Sequence, residues 1–333
     1  MARKFVFPLV LLLTLSLNCP LKAANIIWVS DAYDERVDSI PDDQGFVDLL
    51  VAQGYNVDYT KGASLGNGYW RTLDAAKIAR LDAADLVIVS RCTDSGSYDD
   101  GQEITQWNSI KAPLVLLSPY LAQNSRWLWV NSASLAGDGG SPTLEALDPH
   151  HPIFKGVVLD AKNRVDIYNQ AVGTGTVSFF NYTNMGNGAR IAKPATQDWT
   201  MIAEWKAGVP FYPGAAQTAA DRRMLFCAAT REGVGFGRGE YNLNAEGVKL
   251  FLNAVEYMLG NLVREPWVKA WNPDPPDGTQ NVTTPLLKWT AGETAIWHDV
   301  YLGTNPTFGT ADYRGRVTSL MYFHGPGFTP GTT

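Results

Sequence analysis

The chain has 333 residues, 45% of them hydrophobic and 18% charged, with 31 Gly, 19 Pro and 11 Trp. This is a turn-rich globular composition with ample material for a core. The formal net charge of -6 argues against nucleic acid as a partner, because phosphate recognition needs a basic face.

At the N-terminus, Arg3 and Lys4 precede an apolar run over 5–17 and a small-residue exit at Ala23 and Ala24. That order predicts a signal peptide over 1–24, removed in the mature protein. The run falls short of the roughly 20 apolar residues needed to span a bilayer, and Asn18 before Cys19 disfavours a lipoprotein. The mature protein is therefore expected to be secreted, periplasmic or on the cell surface, with no membrane partner after cleavage. Cys92 and Cys227 remain, and two buried free thiols are expected rather than a disulfide.

The mature chain alternates strand and helix signals. Residues 25–30 (NIIWVS) predict a buried strand, 44–53 a helix stopped by Gly54, and 56–59 a second strand. Helices are expected over 72–81 and 101–110, and strands over 85–89 (DLVIV) and 113–117 (PLVLL). Shorter strands over 177–181, 189–193 and 200–205 predict a meander. A last buried strand over 223–228 precedes a helix over 244–259, capped by Asn244 and ended by Gly260. Continuous apolar strands separated by helices predict a flavodoxin-like three-layer α/β domain over 25–262 with a mostly parallel sheet.

The segment His151-Pro152-Ile153-Phe154-Lys155-Gly156-Val157 and the late strand followed by Tyr241-Asn242-Leu243 and a closing helix carry a resemblance. With the order of elements, they resemble the ThuA-like (trehalose-utilisation) branch of the class I glutamine amidotransferase-like fold, over roughly residues 25–260. Asp31, Gly45-Phe46-Val47-Asp48-Leu49-Leu50 and Asp85-Leu86-Val87-Ile88-Val89-Ser90-Arg91 are similar to the first domain of large modular extracellular bacterial proteins. Amidotransferase relatives use a cysteine on a tight strand-to-helix turn. Here the fourth strand runs into Ser118-Pro119-Tyr120, without that elbow, so the resemblance does not imply glutaminase chemistry.

Open parallel sheets place ligands beyond the carboxyl ends of their strands. Asp31, Arg91, Asp94, Ser118 and Tyr120 are candidates there, joined by Arg126, Trp127 and His151. Trp107, Trp127 and Trp129 beside planar polar groups suit sugar rings, although tryptophans are first of all core residues. Ser118, His151 and Glu204 are the candidates for a hydrolytic site, set against Ser118 as a helix cap and His151 as part of a turn. His150 and His151 with Asp148 nearby and Glu204 on a later strand can also be read as metal ligands, but adjacent residues on an extended segment face opposite ways, so only one imidazole would serve, and a structural turn is the better reading. The acidic loop Asp94, Asp99, Asp100 and Glu103 lacks the oxygen spacing of a calcium loop, and no cofactor or metal is expected.

Residues 263–278 are proline-rich and predict a linker, and 279–333 predict an incomplete β-sandwich resembling a fibronectin type III module, with Trp289 and Tyr301 in its core. The ending at 328–333 resembles the approach to the tyrosine-corner strand, so further C-terminal modules are expected. Three functions stay open: a noncatalytic scaffold or binding domain for a polysaccharide or glycan, a hydrolase at the carboxyl edge of the sheet, and an adhesive module.

Overall fold

The computed structural model describes residues 23–60, 65–138, 142–169, 176–227, 236–264, 268–276, 278–305 and 307–328. All of the expected signal peptide before Ala23 lies outside them, as do residues 329–333.

Apolar runs without polar alternation need cover on both faces. They find it in the strands that alternate with helices along the first part of the chain. These are β1 (Asn25–Val29), α1 (Gln44–Ala52), β2 (Asn56–Asp58), α2 (Ala75–Asp82), β3 (Leu86–Val89), α3 (Glu103–Asn108), β4 (Leu114–Leu116) and the single turn α4 (Pro119–Ala122). Every residue of β3 and β4 is buried, as is β1 beyond Asn25. Next come β5 (Leu135–Asp138), β6 (Leu144–Ala146), β7 (Arg164–Val165), β8 (Val177–Phe180), β9 (Ala189–Pro194) and β10 (Ile202–Trp205). β11 (Arg223–Phe226) and α5 (Ala245–Met258) follow.

Nine of these strands form one sheet in the order β2-β1-β3-β4-β11-β10-β9-β6-β7. β2, β1, β3, β4 and β11 are mutually parallel, whereas each pairing from β11 outward to β7 is antiparallel. The fold is α/β, but the sheet is mixed rather than mostly parallel. Among the described residues no crossover α-helix separates the strands between β6 and β10, and strands joined without one fold back on each other. β8, expected in the meander, pairs instead with β5 as a separate two-stranded sheet.

Helix α5 is set as its sequence predicts. The Asn244 side chain accepts from the amides of Glu246 and Gly247, and Gly260 takes a φ of +84° beyond the last turn. Its Phe251 meets Phe46 of α1 edge-on at 5.3 Å, and Phe46 stacks on Trp28 of β1 at 5.8 Å. A second aromatic cluster joins Trp107, Trp127, Trp129, Trp205 and Phe211, all buried.

The C-terminal segment forms β12 (Trp271–Asp274), β13 (Leu286–Thr290), β14 (His298–Tyr301), β15 (Tyr313–Val317) and β16 (Met321–Phe323). They make two small sheets, β12-β13-β16 and β14-β15. β12 thus lies within the stretch expected to be linker. The Trp289 and His298 rings meet at 5.5 Å between the two sheets, and Val300 is buried beside them. Tyr301, expected in the core, is 44% exposed. Side chains alternate along a strand, so burying His298 and Val300 turns Tyr301 outward.

Candidate functional site

The parallel order β2-β1-β3-β4-β11 reverses direction between β1 and β3, and the crevice beyond their carboxyl ends is where such sheets hold ligands. Two serines pin this crevice. Ser30 Oγ donates to the Cys92 carbonyl at 3.1 Å and accepts from Ala32 N at 2.8 Å, while Cys92 N donates to Ser90 Oγ at 2.9 Å. Buried Ala32 is held at a φ of +53°, a conformation that L side chains rarely adopt. Strain of this kind persists only where the surroundings over-determine it.

Asp31 is the hub. Its fully buried carboxylate accepts from Arg71 Nε at 3.2 Å, Arg71 Nη2 at 3.0 Å, Tyr98 OH at 2.9 Å and Asp94 N at 2.7 Å. The hydrogen bond that Arg71 donates to Asp31 raises the Arg71 pKa further, so the guanidinium stays charged. Burial, then the Asp31 charge, keeps the Tyr98 hydroxyl protonated well above its ordinary range. Arg71 Nη2 also donates to Tyr33 OH at 2.5 Å, and the Arg238 guanidinium stands 4.7 Å from the Tyr33 ring centroid. Arg238 is tied at 3.3 Å to Glu35. Next to it Gly239 has a φ of +79°, and a Cβ there would fall 2.7 Å from Cys92 N, so only glycine permits this approach. The outcome is a partly exposed layer of Tyr33, Arg71 and Arg238 laid over a buried carboxylate.

Asp31 and Asp94 are therefore joined directly, and Arg91, Ser118 and Tyr120 follow the carboxyl ends of the neighbouring parallel strands β3 and β4. The Arg91 guanidinium lies 4.5 Å from the Tyr120 ring, whose hydroxyl is 3.2 Å from Ser178 Oγ. Arg126 pairs with Asp99 at 3.0 Å. Trp127 does not belong to a binding face. It is fully buried, stacks on Trp107 at 5.0 Å, packs against Trp129 and donates its indole N–H to the Tyr98 carbonyl at 2.9 Å, leaving no ring face for a ligand. Tyr33, Arg71 and Arg238 escaped sequence reasoning because they sit on loops far apart in the chain, with no periodic signal to unite them.

His151 and Glu204 do meet, but elsewhere. His151 Nε2 is 3.4 Å from Glu204 Oε1, and the ring packs edge-on against Tyr257 near the end of α5. Burial pushes the Glu204 carboxyl up, yet hydrogen bonds from His151 and Tyr257 outweigh it and hold the pKa below the ordinary value. Glu204 is in register with Met224, and Met224 with Val115. Ser118 is thus three residues further along and two strands across, a Cα separation of roughly 14 Å at about 3.3 Å per residue and 4.8 Å per strand. Ser118, His151 and Glu204 do not assemble a triad. Among the described residues Ser118 Oγ is buried without a hydrogen-bond partner, and it does not cap α4. His150 turns away from His151, its ring edge-on to Trp271 at 5.4 Å, so the pair shares no ligand. Cys92 and Cys227 are free and buried, and burial raises both thiol pKa values, the opposite of nucleophile activation.

Fold and rim together define an open-sheet α/β protein with a pinned polar crevice at its topological switch point. No family model and no curated protein matches the chain. Among solved structures, it is similar to a cytoplasmic protein from Salmonella typhimurium, with 10% identity, a TM-score of 0.43, and coverage of 72% of this chain and 99% of that one. It is also similar to a protein described as a ThuA-like protein from Bacteroides uniformis, with 12% identity, a TM-score of 0.43, and coverage of 71% and 92%. A third, described as a GMP synthase protein from Thermoplasma acidophilum, shows 10% identity and a TM-score of 0.39 over 72% and 96%. Likeness at this level carries no argument about function.

Proposed function

We propose that the α/β domain is a noncatalytic binding domain of a secreted modular protein, holding a carbohydrate-derived ligand at the rim of β1 and β3. The observation that carries this reading is the Asp31 hub, which fixes the Arg71 guanidinium and the Tyr33 hydroxyl at the switch point. Planar donors beside an aromatic ring suit a polyhydroxylated ring, and a guanidinium already locked by a buried carboxylate loses little entropy on binding. A hydrolytic reading is disfavoured by the separation of Ser118 from His151 and Glu204.

The test is thermal-shift screening of the full chain against glucose, galactose, mannose, xylose and glucuronate, with Arg71→Ala as the variant. At least one sugar should raise the midpoint of the wild type and lose that effect in the variant. Equal shifts in both proteins, or none in either, would overturn the assignment to this rim.

A further inference from the structure

The C-terminal segment carries aromatic side chains where a folded core does not use them. Trp297 is 58% exposed, Phe308 53% and Tyr313 43%, and Tyr301 is turned outward as well. The Tyr301 ring lies 6.1 Å from Phe308 and 5.3 Å from Tyr313. These rings are not an uncovered inner face of the two-sheet segment. That face carries His298, Val300 and Trp289, and residues 297, 299 and 301 alternate away from it.

At the centre stands Asp299, bound by Arg316 through both oxygens at 2.8 Å and by Tyr313 OH at 3.3 Å. A cavity of about 1380 Å³ runs from Trp271 and Trp297 past Asp299 to Tyr301 and also touches Trp289, His298 and Val300 of the inner face, with residues 145–147 and 161–164 of the α/β domain on its other side. A second, of about 550 Å³, continues from Asp299 and Tyr301 to Phe308 and Arg316. Arg264 fastens the two walls, pairing with Asp148 at 2.8 Å on one side and with Glu293 on the other.

We propose that this groove along β14 binds an extended, neutral saccharide chain. Pyranose rings present an apolar C–H face and a rim of hydroxyls, matching exposed aromatic faces that flank a fixed planar ion pair. Asp299 and Arg316 neutralise each other, so this pair at the centre of the groove offers hydrogen bonds without a net charge of its own. A protein partner fits less well, since interface centres are depleted of charged residues and this centre is an ion pair. Trp297 and Tyr301 lie four residues apart, about 13 Å along a strand, so one ring cannot reach both and an oligomer is required. This site stands apart from the β1/β3 rim and does not depend on it.

The test is native affinity electrophoresis of the full chain in gels containing glucomannan, xyloglucan, mixed-linkage β-glucan or amylopectin, with polygalacturonate as the charged control. At least one neutral polysaccharide should retard the wild type. The double variant Trp297→Ala/Tyr301→Ala should weaken the apparent affinity by about tenfold or more, and Trp297→Phe should keep most of it. Equal retardation of wild type and double variant, retardation by polygalacturonate alone, or none by any gel would overturn the proposal. Loss of retardation in Arg71→Ala alone would assign it to the rim, overturning the groove and leaving the rim reading in place.

Discussion

Two buried carboxylates lie close in sequence and meet opposite surroundings. Asp31 is satisfied by four donors from Arg71, Tyr98 and Asp94. Asp42 receives one amide, from Glu35 at 3.0 Å, and an Arg36 contact at 3.5 Å, with the charges of Glu35 and Glu240 nearby. Burial, aided by those like charges, pushes its pKa up to about 6. A carboxyl raised in the folded state binds more protons there than in the unfolded chain, where its value is about 3.9. It therefore costs stability progressively as pH rises from about 4 through about 6, and that cost is absent below the unfolded value. Asp42→Asn should remove this dependence, so its thermal midpoint should gain on the wild type between pH 4.5 and pH 7. Parallel midpoint curves would show that Asp42 ionises freely. Asp31 and Asp94 were legible in the sequence because they follow apolar strands, and strand ends are marked by where the apolar run stops. Trp127 misled because sequence reports an aromatic residue but not which side of it is covered.

At the scale of elements, long apolar runs were legible and short polar strands were not. β1, β3, β4, β11 and α5 fall where 25–30, 85–89, 113–117, 223–228 and 244–259 place them, within a few residues at each end. β5 (LAGD), β6 (LEA) and β7 (RV) carry too few residues to show a period, and their pairing comes from tertiary contact. Arg223 shows such contact dictating a side chain's role. It is fully buried in β11 and donates to the carbonyls of Asn108, Ile110 and Ala112 at 3.2, 2.5 and 3.0 Å, closing the end of α3 and the turn into β4. Burial lowers its pKa to about 10, still high enough to leave it charged at neutral pH. Arg223→Ala would strand three buried carbonyls and should cost about 3 kcal/mol or more in chemical denaturation. A loss under about 1 kcal/mol would mean that water replaces the guanidinium.

Across the whole molecule, sequence reading separated an α/β unit from a later β-rich segment but could not place one against the other. The Arg264 pair with Asp148 and the edge-on contact of His150 with Trp271 join the α/β domain to the expected linker across more than a hundred residues, and Arg264 also reaches Glu293 beyond the linker. The same limit applies to sites: Ser118, His151 and Glu204 looked like one constellation, and register sets Ser118 three residues further along and two strands away from Glu204. The central claim is that the α/β domain recognises its ligand at the β1/β3 rim. Amide chemical-shift mapping of the full chain, titrated with the sugar that stabilises it most, tests this directly. Perturbations should concentrate at Ala32, Tyr33, Arg71, Asp94 and Arg238; a cluster at His151, Glu204 and Tyr257, or no cluster in the α/β domain, would contradict it.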